Sequence, residues 1–191
     1  MQESRNRYWL VPSSLQELFG KKISYIELYT TLIFSMFSTI LLLLFTDFEW
    51  NTLAGWRNVL IIFVFIDITG GVVANFSSST NSYYLGSSKA RLVFIGLHIQ
   101  PLILSWLIND YFLLCLVVWG YTIVAALIIN FLSVYTSHRL IAGAISMFGV
   151  VLLLMFSEAL PIWLTIFLLL YLVKVSFSFA VNHDLNKESN S

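Results

Sequence analysis

FVFIDITGGVVANF, residues 63–76, is an apolar run with a carboxylate at its middle, two glycines shortly after it and an asparagine near its end. Extended back to Val59 it approaches the roughly 20 residues that a helix needs to cross a bilayer. On such a helix, residues three, four and seven apart share a face, so Asp67 lies above Gly70, Gly71 and Ala74, with Asn75 at the edge. Small residues in this pattern let a neighbouring helix approach closely. Asp67 is therefore expected to turn into a helix bundle and away from lipid. An ionised carboxylate at mid-bilayer costs about 2.5–3.5 kcal/mol on insertion scales, so it must be paired, hydrated, protonated or bound to something.

Five further stretches resemble this one. The spans are expected near Ile23–Phe45, Val59–Phe76, Ala90–Asn109, Tyr111–Val134, Arg139–Phe156 and Pro161–Val181. Of 191 residues, 59% are hydrophobic and 10% charged, and the mean hydropathy is +0.86. A soluble domain carries about a quarter charged residues, so the composition indicates an all-α, polytopic membrane protein built as a six-helix bundle. The first span is too long for a signal-peptide core and is expected to remain in the mature chain. No copied half of the kind found in inverted-repeat transporters is visible. The net charge of zero provides no footprint for nucleic acid, and the single Cys115 sits in an apolar run as a small hydrophobe.

Charge sets the expected orientation. Arg5, Arg7, Lys21, Lys22, Lys89, Arg91, Arg139 and Lys187 fall at the N-terminal side of the spans. Arg57, with the acids Asp47, Glu49, Asp110 and Glu158, falls at the other. Lysine and arginine collect on the cytoplasmic side, which puts both termini there, in the plasma membrane. Trp50, Trp56, Tyr111 and Trp163 then mark the outer interface, and Tyr83, Tyr84 and Tyr135 the inner one. The sequon Asn75-Phe76-Ser77 lies at the cytoplasmic end and is discounted.

The chain divides into a cytoplasmic N-terminal segment (1–22), the transmembrane domain (23–181) and a polar tail (182–191). In SSLQELFGKK, Ser14 and Glu17 have the spacing of a capping box. Leu15, Leu18 and Phe19 share a face, and Gly20 can stop the helix, which predicts a short interfacial helix. The connection SSSTNSYYLGSSKAR, between the second and third spans, has the composition of a flexible loop. With Lys89 and Arg91 it is a candidate for gating access or holding an anionic group.

The third span supplies the expected partner of Asp67. His98 is the histidine placed inside the membrane; Arg91, His98, Ser105 and Asn109 fall in one stripe of a regular helix, with Gln100 nearly opposite. Pro101 removes the backbone bond to the Leu97 carbonyl and should kink the helix. Asp67 and His98 come to similar depth on consecutive helices, which predicts direct contact. Glu27, Thr31 and Ser38 form a further polar stripe on the first span. Lys174, in the inner half of the last span, is expected to snorkel to the interface.

No zinc-peptidase, nucleophile-elbow, phosphate-loop or paired Cys-x-x-Cys motif occurs, and none of the aspartate- or histidine-rich signatures of membrane lipid enzymes. No cofactor is implied. A metal site would have to draw Asp67, His98 and Glu27 from three helices. The polar centre of Asp67, His98, Arg91, Ser105, Gly70, Gly71 and Asn75 points first to transport or binding of a small molecule or ion, with proton linkage an option because histidine changes charge near physiological pH. An alternative is an enzyme acting on a lipid-linked substrate, with Asp67 or His98 as base and Arg91 holding a phosphate. A second alternative is an accessory subunit in which these groups specify packing. The partners expected are the bilayer and a second copy of the chain or a membrane subunit.

Overall fold

The computed structural model describes residues 7–45 and 53–181. The expectations for Arg5, Asp47, Glu49, Trp50 and the tail fall outside these residues. Among the described residues, six helices are long and apolar enough to cross a membrane, spanning Tyr25–Leu44, Gly55–Ala74, Ser88–Ile108, Phe112–Val134, His138–Met155 and Ile162–Phe179. They lie within a few residues of the positions that hydropathy assigns.

The N-terminal segment is more than a helix. Strand β1 (Tyr8–Leu10) pairs antiparallel with β2 (Lys22–Ser24), with Trp9 opposite Ile23. The short α1 (Gln16–Phe19) fills the connection and stops at Gly20, whose φ of +70° suits glycine. The expected capping box at Ser14 does not form. Ser14 lies inside a 3-10 turn, Ser13–Leu15, begun by Pro12, so it is not at a helix boundary. The same spacing ten residues later does cap a helix. Ser24 precedes α2 (Tyr25–Phe45), and the Glu27 carboxylate accepts from the Ser24 amide at 3.0 Å while Ser24 Oγ accepts from the Glu27 amide at 3.2 Å.

α2 and α3 (Gly55–Ala74) pack through hydroxyls. Ser35 Oγ donates to the Ile66 carbonyl at 3.1 Å and lies 3.2 Å from Thr69 Oγ1, which is 3.3 Å from Thr39 Oγ1. A Cβ at Gly70 would sit 3.2 Å from Ser35 Oγ, so the missing side chain sets this approach. The buried polar face of α2 is thus Thr31, Ser35 and Thr39, with Ser38 beside it.

The connection after α3 is helical, not a free loop. Ser77 accepts from the Thr80 amide and caps α4 (Ser78–Leu85), which packs on α1. Thr80 Oγ1 donates to the Leu18 carbonyl and Tyr84 Oη to that of Glu17. Ser79 Oγ donates to the carbonyls of Phe19 and Lys22.

The third span is broken. α5 (Ser88–Leu97) and α6 (Gln100–Ile108) are separated by His98 and Ile99, with Pro101 in the first turn of α6. The Leu97 carbonyl, denied the Pro101 amide, accepts from Ile99 at 2.9 Å. After a turn in which Asn109 and Tyr111 both have φ of 56°, α7 (Phe112–Phe131) and α8 (His138–Met155) follow. Last comes α9 (Ile162–Leu172), continued by a π-helical segment, Val173–Phe179. This last span is the centre of the bundle: 67% of its residues are buried, against 22–39% in the others. It touches α3, α7 and α8, and Phe65 of α3 packs on Trp163 and Phe167 at ring separations of 6.1 and 5.4 Å.

Candidate functional site

Asp67, midway along α3, meets Lys174 and not His98. Lys174 Nζ lies 3.0 Å from Asp67 Oδ2 and donates to the Asp67 backbone carbonyl at 3.1 Å. Gln100 Nε2 donates to the same Oδ2 at 2.9 Å. The expected snorkelling of Lys174 is therefore wrong: its side chain is 3% exposed and reaches across the bundle. A lysine stem can run to water or along a neighbouring helix, and the choice depends on whether a groove receives it. Gly71 provides that groove. A Cβ there would stand 2.7 Å from Nζ and 2.9 Å from Cδ of Lys174.

The phase of the third span explains why Gln100 replaces His98. On an unbroken helix the two point nearly opposite ways. Here the chain leaves helical geometry at His98, with ψ of 68°, and restarts at Gln100, so the two positions no longer share one wheel. His98 is buried and its Nδ1 lies 2.5 Å from the Phe94 carbonyl. Its own carbonyl, freed by the break, accepts from Tyr171 Oη at 2.8 Å.

The π-helical segment presents Lys174. Widened turns leave carbonyls poorly paired, and side chains complete them. Ser178 Oγ donates to the carbonyls of Lys174 at 2.8 Å and Val173 at 3.2 Å, and Asn75 Nδ2 reaches the Lys174 carbonyl at 3.4 Å. Gly71, Asn75 and Asp67 thus all face the turn that carries Lys174. Ser176, two residues on, pairs with Ser146 at 2.9 Å.

Other expected members lie elsewhere. Ser105 is buried and donates to the Leu102 carbonyl, and it is not among the hydrogen-bond partners of Asp67. Arg91 is buried; its Nη2 donates to the Ala180 carbonyl at 3.0 Å and its guanidinium sits 5.8 Å from the Phe179 ring. It caps the C-terminal end of the last span and does not extend to the connection before α5, so it is not placed to hold a phosphate there. Glu27 is committed to Ser24 and to the Ser78 amide at the end of the bundle. Among the described residues, no group of three or more His, Cys, Asp and Glu is gathered for a metal. The set Asp67, His98 and Glu27 does not assemble.

Lys174 and Gln100 were the members missed. Both stand in the sequence as intramembrane polar groups, and Lys174 carries the charge that neutralises Asp67.

The centre is not closed. Asp67's side chain is 37% exposed, while Lys174 is enclosed. Both bonds to the carboxylate fall on Oδ2, and none from the described residues reaches Oδ1. Gln100 Oε1 is buried without a hydrogen-bond partner. Two acceptors, Asp67 Oδ1 and Gln100 Oε1, therefore remain at one partly exposed carboxylate, an arrangement suited to a cation or an N–H or O–H donor.

No protein-family model matches the chain, and no curated protein or solved structure matches it either.

Proposed function

We propose that this is an integral membrane protein, both termini cytoplasmic, that binds or passes a small cationic or hydrogen-bond-donating molecule or ion at Asp67, Lys174 and Gln100. The observation that carries it is the half-exposed Asp67 carboxylate, with Oδ1 unused, paired to an almost fully buried Lys174. A pair that served packing alone would be expected to have its buried polar atoms matched, because orphaned groups in a low-dielectric interior are costly. Here Gln100 Oε1 is left without a partner next to the carboxylate. The break at His98–Ile99 and the π-helical segment bracket the centre, and irregular helix turns concentrate at binding sites within membranes. A cation arriving at Asp67 competes with Lys174 for the carboxylate, so occupancy biases the position of the last span. Proton linkage enters through the same competition. The lipid-enzyme alternative has lost Arg91 as its phosphate clamp.

The test uses a charge-neutral pair. Asp67→Asn alone strands a buried lysine and is expected to cost about 3–5 kcal/mol. Asp67→Asn with Lys174→Met removes both charges at similar volume and should fold. Thermal melts of the purified protein are run with a panel of small amines, amides and alkali cations. Compounds that stabilise the wild type are expected to leave the neutral pair unmoved. A panel that shifts both proteins alike, or neither, would return the ion pair to a packing role.

A further inference from the structure

A cavity of about 850 Å³ lies between the N-terminal ribbon and α4, at the end of the bundle where α2 and α5 begin. It is lined by Lys21 and Lys22 from the ribbon, and by Ser82, Tyr83 and Ser87 from α4 and the turn into α5. Glu27 also lines it, and its oxygens are already taken by the Ser24 amide and hydroxyl and the Ser78 amide. The two lysines have no such commitment: Lys22 Nζ stands 5.4 Å from the Tyr8 ring, and both residues are exposed. The lining therefore carries two cations against one satisfied carboxylate, with hydroxyl donors between them.

The lining also has an apolar part, Ile26 and Ala90, at the first turns of α2 and α5. From Ile26 an exposed apolar strip runs down α2 through Tyr29 and Ile33, each more than half exposed and spaced on one helix face. A cationic, hydroxyl-lined recess thus opens onto a lipid-facing flank. That is the division of an amphiphile: a charged group above, a chain below. A soluble anion would use the upper half alone.

We propose that this cavity binds the phosphate of a net-anionic phospholipid, with Lys21 and Lys22 holding the phosphate and an acyl chain lying along Ile26, Tyr29 and Ile33. The site is independent of the centre at Asp67. Lysine is a compact point charge suited to phosphate oxygens. The inner leaflet, where the proposed orientation puts this end, is the anionic one. Bound lipid would join the ribbon to the start of α5 and hold the N-terminal layer against the bundle.

The test uses the full chain in neutral detergent, titrated by native mass spectrometry with dioctanoyl phosphatidylglycerol, dioctanoyl phosphatidylcholine and glycerol 3-phosphate. The phosphatidylglycerol is expected to bind, and Lys21→Gln with Lys22→Gln to weaken it at least about tenfold, the loss of two charge-assisted contacts. Arg139→Gln, a cation at the same end of the bundle but outside the cavity lining, should leave binding as it was. Glycerol 3-phosphate binding as tightly, with the same loss in the double variant, would keep the phosphate site and assign it to a soluble compound. Binding unaffected by the double variant, equal binding of the zwitterionic lipid, or no binding of any of the three overturns the proposal.

Discussion

At Gly71 the missing side chain does the positioning. The Lys174 stem crosses the space that a Cβ would fill, and its amine thereby reaches Asp67. Gly71→Ala should force Lys174 aside and cost about 1–3 kcal/mol, the range for overpacking a fitted interior. Gly143→Ala is the control, because a Cβ there meets only Phe177 at 3.9 Å; within a helix it is expected to be neutral or stabilising by up to about 1 kcal/mol. Thermal melts of the two variants in one detergent compare them directly, and equal behaviour would mean that Lys174 does not depend on the groove. That Asp67 lies beside a glycine face could be read from spacing alone. Its partner could not, because Lys174 lies 107 positions away and near a helix end, where a snorkelling lysine and a buried one have the same sequence. His98 is the intramembrane histidine on the consecutive helix, and the sequence alone favours it as the partner. The restart of the helix at Gln100, a backbone event, delivered the neighbouring amide instead.

At the scale of elements, the spans were legible and their irregularities were not. Length and apolar composition fix where a chain can cross a bilayer, whereas a π-helical segment or a helix break depends on what receives the freed carbonyls, here Ser178, Asn75 and Tyr171. Pro101 did announce a disturbance, but not that the chain would leave the helix at His98. α4 was hidden for a different reason. Its serines, threonine and asparagine have loop composition, and the element holds because Ser77 caps it and Tyr84 anchors it. Tyr84 is 5% exposed, among Phe94, Phe179 and Tyr83. Burial, and then the nearby Glu17 carboxylate and Tyr83, raise its phenol above the ordinary value. An unfolded tyrosine ionises near about pH 10 while the folded one resists, so the contribution of Tyr84 is whole below that pH and is lost as the pH rises above it. Tyr84→Phe should therefore be less stable by about 1 kcal/mol at neutral pH, from the lost bond to Glu17. Above about pH 10 its melting temperature should fall less steeply than that of the wild type. Parallel curves across that range would show that Tyr84 is not the group that yields to alkali.

For the whole molecule, the ends of the bundle differ in kind. One carries Arg7, Lys21, Lys22, Lys89 and Arg139 and is covered by the ribbon, α1 and α4; the other carries Arg57 with Asp110 and Glu158 on short turns. Arg57 donates to the Leu107 carbonyl at 3.1 Å, so the one cation described at that end is spent on a helix terminus. The cation bias in short connections sets orientation during insertion, which predicts that the covered end faces the cytoplasm. Cys115 is fully buried, so single cysteines added at exposed positions report without a competing thiol. Glu158→Cys, in the turn between α8 and α9, should react with a membrane-impermeant maleimide in intact cells. Lys89→Cys, at the first turn of α5, should react only after the membrane is opened. The reverse pattern would place Lys21 and Lys22 outside. It would remove the inner leaflet as the source of lipid for their cavity and leave the geometry at Asp67 untouched, because the pair with Lys174 lies within the bundle and depends on no leaflet.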